Sequence, residues 1–304
     1  MKEISRLLAN KNRNTEYFKN NPWGLSFFSL QPEFELLQYL HNQKVNLWGL
    51  DQIHLFSSGR FFEMLALEAK KKENKLLATN KAKQFRNNDL PLLPEGKYDG
   101  LTVFTIQQKA VDSLVKAFEN ESPYARKMLD DYNISTQTYR ITDHIRRINL
   151  MKRNLLEYSL GYLCAGKPLP KMLYKFGAMH TFRNESFNII FDIGNLAANL
   201  AEAQNKTSLH ILAIGKAGTA NLMSSSLEEK AIQPYTVESD GLDYLKPFLD
   251  LVNDESPVLF DLRPLRKKLD SGKLKINNID LGRVILGNEF LIIFGKVTGS
   301  GFKK

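Results

Sequence analysis

The stretch Lys171–Gly194, KMLYKFGAMHTFRNESFNIIFDIG, carries His180 at the end of an apolar run, with Arg183 three residues further on. A histidine takes or gives a proton near neutral pH, and a planar guanidinium beside it suits a carboxylate or a developing oxyanion. Those two residue types allow acid–base attack on a carbonyl, or recognition of an anion. Upstream, Arg147, Met151, Asn154 and Tyr158 stand at i, i+4, i+7 and i+11, which places all four on one face of a helix. An arginine on such a half-buried face needs an anionic partner, because desolvating it alone is costly. Asp51 would serve, and so would a bound carboxylate or phosphate. Asp51 itself closes the run VNLWGLD, where it can orient His180 or Arg147, or cap the segment after it. Arg183, Met151 and Tyr158 are the candidate substrate contacts.

Other chemistry finds less support. His41, His54, His144 and His210 have no mutual metal-ligand spacing, and the single cysteine excludes an intramolecular disulfide and a multi-cysteine zinc site. Cys164 lies in LGYLCAG, where a buried inert thiol is expected. Gly215-Lys216-Ala217-Gly218 lacks the spacing of a phosphate loop. No metal and no cofactor is expected.

The elements that must position these residues follow from the hydrophobic pattern. Glu33–His41 reads as a short amphipathic helix and Val45–Leu50 as a strand. From about Ser58 to Phe85 the pattern is helical and basic, and two prolines and two glycines mark Asn87–Gly100 as loop. Helices are expected over Thr105–Asn120, Thr142–Leu163, Asn195–Ala203 and near Tyr244–Val252. Strands are expected at Met172–Gly177, Leu209–Gly215, Val258–Leu262 and Phe290–Phe294. Alternation of this kind predicts a three-layer α/β fold, a mainly parallel sheet with helices on both faces. The whole of 1–304 reads as one domain, with a mostly helical, basic insertion at about 54–100. Ligands in such sheets bind outside the carboxyl ends of the strands, where the predicted strand would deliver His180.

Composition is that of a globular chain, 43% apolar and 25% charged over 304 residues. The net charge of +9, from 42 Lys and Arg against 33 Asp and Glu, gathers in runs such as Lys70-Lys71-Lys72. No nucleic-acid motif accompanies it, so solvated helix faces and tails are the expectation and a small-molecule substrate or ligand is the expected partner. No run approaches the ~20 apolar residues a membrane span needs. The amino-terminal MKEISRLLANKNRN has no apolar signal core, which makes a cytoplasmic location the default, or an exported one if an upstream signal has been removed. The sequence carries no signal for an oligomeric state.

Taken in order, several motifs carry a resemblance. A Glu-led helix and a run ending Gly-Leu-Asp (Glu35 to Asp51) precede an Arg-x-x-x-Met-x-x-Asn helix (Arg147, Met151, Asn154). His180 with Arg183, Gly194 before a helix, and a strand ending Ile214-Gly215 come next. This order resembles the erythromycin esterase-like proteins, within the wider superfamily of TraB and ChaN proteins, over roughly Glu33 to Thr298. The resemblance implies a metal-independent hydrolase of an ester or lactone working in a cleft at the sheet's C-terminal edge. His180 then matches the family's downstream histidine, Arg147 its central arginine and Asp51 its strand-end aspartate. Ile148 stands where the family usually has Asp, and no Gly-Glu-x-His element stands before Glu33. A catalytically degenerate small-ligand-binding protein that keeps the same cleft is the alternative.

Overall fold

The computed structural model describes residues 28–221, 232–253 and 256–301, together with Tyr17, Asn21 and Leu25. Their contacts divide them into two compact units. One comprises the described residues up to Met151 with Asn221, Ile232, Ser300 and Gly301; the other comprises Lys152–Ala220 and those from Gln233 to Gly299.

The first unit is helical. It contains α1 (Gln31–Asn42), α2 (Ser58–Glu68), α3 (Lys72–Asp89), the single turn α4 (Thr102–Thr105), α5 (Gln108–Ala117) and α6 (Pro123–Ile141), and it takes in the start of α7 (His144–Leu163). The residues expected as a basic insertion form α2 and α3, with their apolar faces turned inward and their lysines out. Phe62, fully buried, stands at the centre: its ring meets Phe85 at 5.0 Å and Tyr132 at 5.2 Å, both edge-on. Phe61 stacks on Tyr132 at 4.8 Å. Offset and edge-to-face rings of this kind add to what their area burial contributes. Gly59 lets α2 and α3 approach, since a Cβ there would sit 3.1 Å from the backbone nitrogen of Arg86.

The second unit holds the rest of α7, α8 (Ile193–Glu202), α9 (Lys246–Leu249), α10 (Arg263–Asp270) and α11 (Ile279–Gly287). It also holds most of a four-stranded sheet of β1 (Ile211–Asn221), β2 (Ile232–Thr236), β3 (Val258–Asp261) and β4 (Phe290–Val297), in the order β2-β1-β4-β3. β1 and β4 run parallel, Ile211 opposite Phe290 and Ile214 opposite Ile293, while β3 pairs antiparallel with β4. The fold is therefore α/β with a mixed open sheet, a correction to the mainly parallel one expected. β4 alternates as a sheet with one buried face should: Leu291 and Ile293 are fully buried and pack with Phe182, Leu212, Leu262 and Val284.

Two expected strands are absent among the described residues. Val45–Leu50 and Met172–Gly177 have no ladder partner. The second is extended all the same, with Lys171, Leu173 and Lys175 exposed and Met172, Tyr174 and Phe176 half-buried. A period of two reports extended backbone against a packed surface; it does not by itself report a neighbouring strand.

Candidate functional site

His180 ends a 3₁₀ turn, Ala178–His180, closed by its own N–H donating to the carbonyl of Gly177 at 3.0 Å. Its side chain is nine-tenths buried, and Nδ1 lies 2.8 Å from Oδ2 of Asp192, whose own side chain is almost wholly buried. The other carboxylate oxygen, Oδ1, accepts from the backbone N–H of Ile193 at 2.6 Å. Asp192 is thus the N-cap of α8, and the cap holds the carboxylate against the imidazole. A carboxylate only accepts, so Nδ1 donates and the neutral ring keeps its lone pair on Nε2. No described residue partners Nε2. The Phe176 ring lies edge-on to the imidazole at 6.1 Å.

Gly194 fixes how closely α8 approaches this turn. A Cβ at that position would lie 2.4 Å from the carbonyl carbon of Thr181 and 2.7 Å from the oxygen of Phe182. Beyond the histidine, the His210 ring donates from Nδ1 to the carbonyl of Thr181 at 2.6 Å, and the N–H of Arg183 donates to the carbonyl of Gly287 at 3.0 Å. His210 and Gly287 precede β1 and β4. The residues following His180 are therefore tied to the amino ends of these two parallel strands, the end opposite the one expected, because no strand carries the chain into His180.

Arg183 is engaged by carboxylates. It donates to Oε1 of Glu289 at 2.7 Å and to the exposed Glu202 at 3.2 Å. Glu289 also accepts from Arg266 at 3.1 Å and from the backbone of His210 at 2.7 Å. Burial opposes the ionisation of Glu289, yet the His210 N–H and the two guanidinium groups hold its carboxyl below the ordinary range.

Asp51 and Arg147 meet in the first unit. The guanidinium donates twice, Nε to Oδ1 at 2.8 Å and the terminal nitrogen to Oδ2 at 2.5 Å, in the fork geometry that suits arginine and carboxylate. Asp51 is thus an anionic partner of Arg147. Ile53 is strapped to α6 by Ser135 and Tyr139, at 3.0 Å each. The stripe Arg147, Met151, Asn154, Tyr158 lies on α7 as expected and runs outward: Met151 is fully buried and Tyr158 is 42% exposed. Cys164 is exposed, which corrects the buried thiol expected from its apolar neighbours: it follows the last residue of α7.

Asp192 escaped the sequence reading as a partner for His180. The signal available was an Asp before a small-residue helix, which reads as a cap and says nothing about what else the carboxylate touches.

No family model matches the chain, and no curated protein matches it either. Two solved structures show a distant likeness to it. One is a Bacillus cereus protein, with a TM-score of 0.48 and 13% identity over 93% of this chain and 78% of that one. The other is a mutant of erythromycin esterase EreC in its open conformation, with a TM-score of 0.45 and 11% identity over 90% of this chain and 73% of that one. Both are distant likenesses, and neither makes the chain a member of a family.

Proposed function

We propose that the chain is a metal-independent hydrolase of an ester or lactone, with His180 as general base and Asp192 as the residue that positions it. The observation that carries this reading is the buried contact between His180 Nδ1 and Asp192, which leaves the Nε2 lone pair without a partner among the described residues. In the proposed step Nε2 takes a proton from water as its oxygen bonds to the carbonyl carbon. The tetrahedral oxyanion then expels the alkoxide, which recovers that proton from the imidazolium. Asp192 stabilises the imidazolium and fixes the tautomer. Arg183 is the group proposed to meet the developing charge, since its bond to exposed Glu202 is the one solvent can replace. Asp51 and Arg147 support the fold around them in this reading, and Tyr158 contributes its exposed ring to the substrate.

Purified protein assayed against a panel of esters and lactones tests the proposal. His180→Ala abolishes turnover, and Asp192→Asn lowers kcat by about a hundredfold or more while KM changes little. Full turnover by His180→Ala would remove the histidine from the mechanism.

One observation favours the ligand-binding alternative. Arg147 and Arg183 are both engaged by carboxylates of the same chain, so an oxyanion must compete for either. On that reading no ester in the panel turns over, and small polar molecules still raise the melting temperature.

A further inference from the structure

The surface carried by residues 156–179 of the second unit combines exposed apolar side chains with lysines. On α7, Leu156, Leu160 and Leu163 lie at i, i+4 and i+7 and so share a face, and they are 39%, 51% and 40% exposed. The helix then stops cleanly. Gly166 takes a φ of 65°, its N–H donates to the carbonyl of Leu163, and the N–H of Lys167 donates to that of Tyr162. The extended stretch that follows turns Lys171, Leu173 and Lys175 outward, and Leu173 is 84% exposed. Met179 adds another exposed apolar side chain before His180.

Beyond Glu157, which pairs with Arg153 at 3.6 Å, charge on this stretch has one sign. Between Glu157 and Glu185 the sequence has no Asp or Glu, while it has Lys167, Lys171 and Lys175, all exposed. Leucines interleaved with lysines complement a surface that is apolar below and anionic at its face. The lysine stems can lie along hydrocarbon while their ammonium groups stay at the water boundary. We infer that this surface docks on an anionic lipid bilayer, by shallow insertion of the leucines and attraction of the lysines to acidic headgroups. Docking of this kind needs no spanning helix, and none of the described helices is long and apolar enough to cross a membrane. The inference is independent of the hydrolase reading, because it uses neither the basicity of His180 nor any turnover.

Cys164, exposed and the single cysteine of the chain, supplies the probe. The full chain is labelled there with an environment-sensitive fluorophore and mixed with vesicles of phosphatidylglycerol and phosphatidylcholine, or of phosphatidylcholine alone. The expected result is co-sedimentation and a blue shift with the anionic vesicles, both reversed by high salt. Neutralising one lysine weakens partitioning about fivefold, so Lys167→Gln, Lys171→Gln and Lys175→Gln together weaken it about a hundredfold. Leu173→Ser, at a largely exposed position, weakens partitioning without altering the circular dichroism. Equal binding to both vesicle types, no binding to either, or binding indifferent to these substitutions overturns the inference. So does a blue shift that grows with protein concentration in the absence of lipid, which would assign the surface to a second copy of the chain.

Discussion

His54 sits partly buried beside the Asp51–Arg147 pair. Burial, assisted by Arg147 and only partly offset by Asp51, lowers its pKa from 6.5 to about 4. A histidine shifted in this direction is neutral in the fold and takes up a proton more readily in the unfolded chain. Its contribution is present above pH 6.5, is lost as the pH falls from there towards about 4, and changes no further below. Urea unfolding should therefore show about 2 kcal/mol less stability at pH 5 than at pH 7 from this group. His54→Gln flattens that difference; an unchanged slope would assign it to other groups. His180 and Asp192 differ in how legible they were. The histidine shows at the end of an apolar run, while the carboxylate beside it is hidden by a second duty as helix cap. Arg147 was legible as a residue in need of an anion, and Asp51 as one of the anions available.

Among the elements, α3 begins on a borrowed carboxylate. Glu121 accepts from the backbone N–H groups of Lys70 at 2.8 Å and Lys71 at 3.0 Å, and from Asn74 at 2.9 Å. Burial works against the charge, but these donors outweigh it and keep the carboxyl below its ordinary range. Glu121→Ala leaves the buried amide of Asn74 and both N–H groups short of an acceptor, at a cost of about 2–3 kcal/mol in a urea titration. Gly194→Ala acts on α8: its Cβ meets the Thr181 backbone, so α8 and the 180–182 turn separate and Asp192 draws away from His180. A fall in melting temperature together with a shifted His180 ring resonance is the expected reading, and an unchanged melt would show that the turn yields freely. α7 and α8 were legible because their apolar spacing is regular. α6 was not: its buried positions include Tyr132, Ser135 and Thr136, which mute the contrast between faces. At Met172–Gly177 the pattern was legible and the inference too strong, because pairing depends on chain remote in sequence.

At the scale of the molecule, the alternation of helices and strands after about residue 190 announced the α/β class. It could not announce the order of the strands, which depends on pairings across many residues. The sheet places β4 between β1 and β3, although β4 is the last of the four along the chain. β1 and β3 thus have no hydrogen-bonded ladder with each other and wait for β4 to enter between them. Long-range pairing of this kind is slow, while helical contacts such as those of α2 with α3 are local and fast. Refolding followed by stopped flow should show helical signal first and burial of the second unit's core later. Ile293→Ala, in the middle of β4, should slow the late phase and lower stability by about 2–4 kcal/mol. A late phase indifferent to Ile293→Ala would move the slow step elsewhere. Until β4 arrives, the edges of β1 and β3 stand open to any other extended chain, and the interval before its insertion is when this protein is most exposed to aggregation.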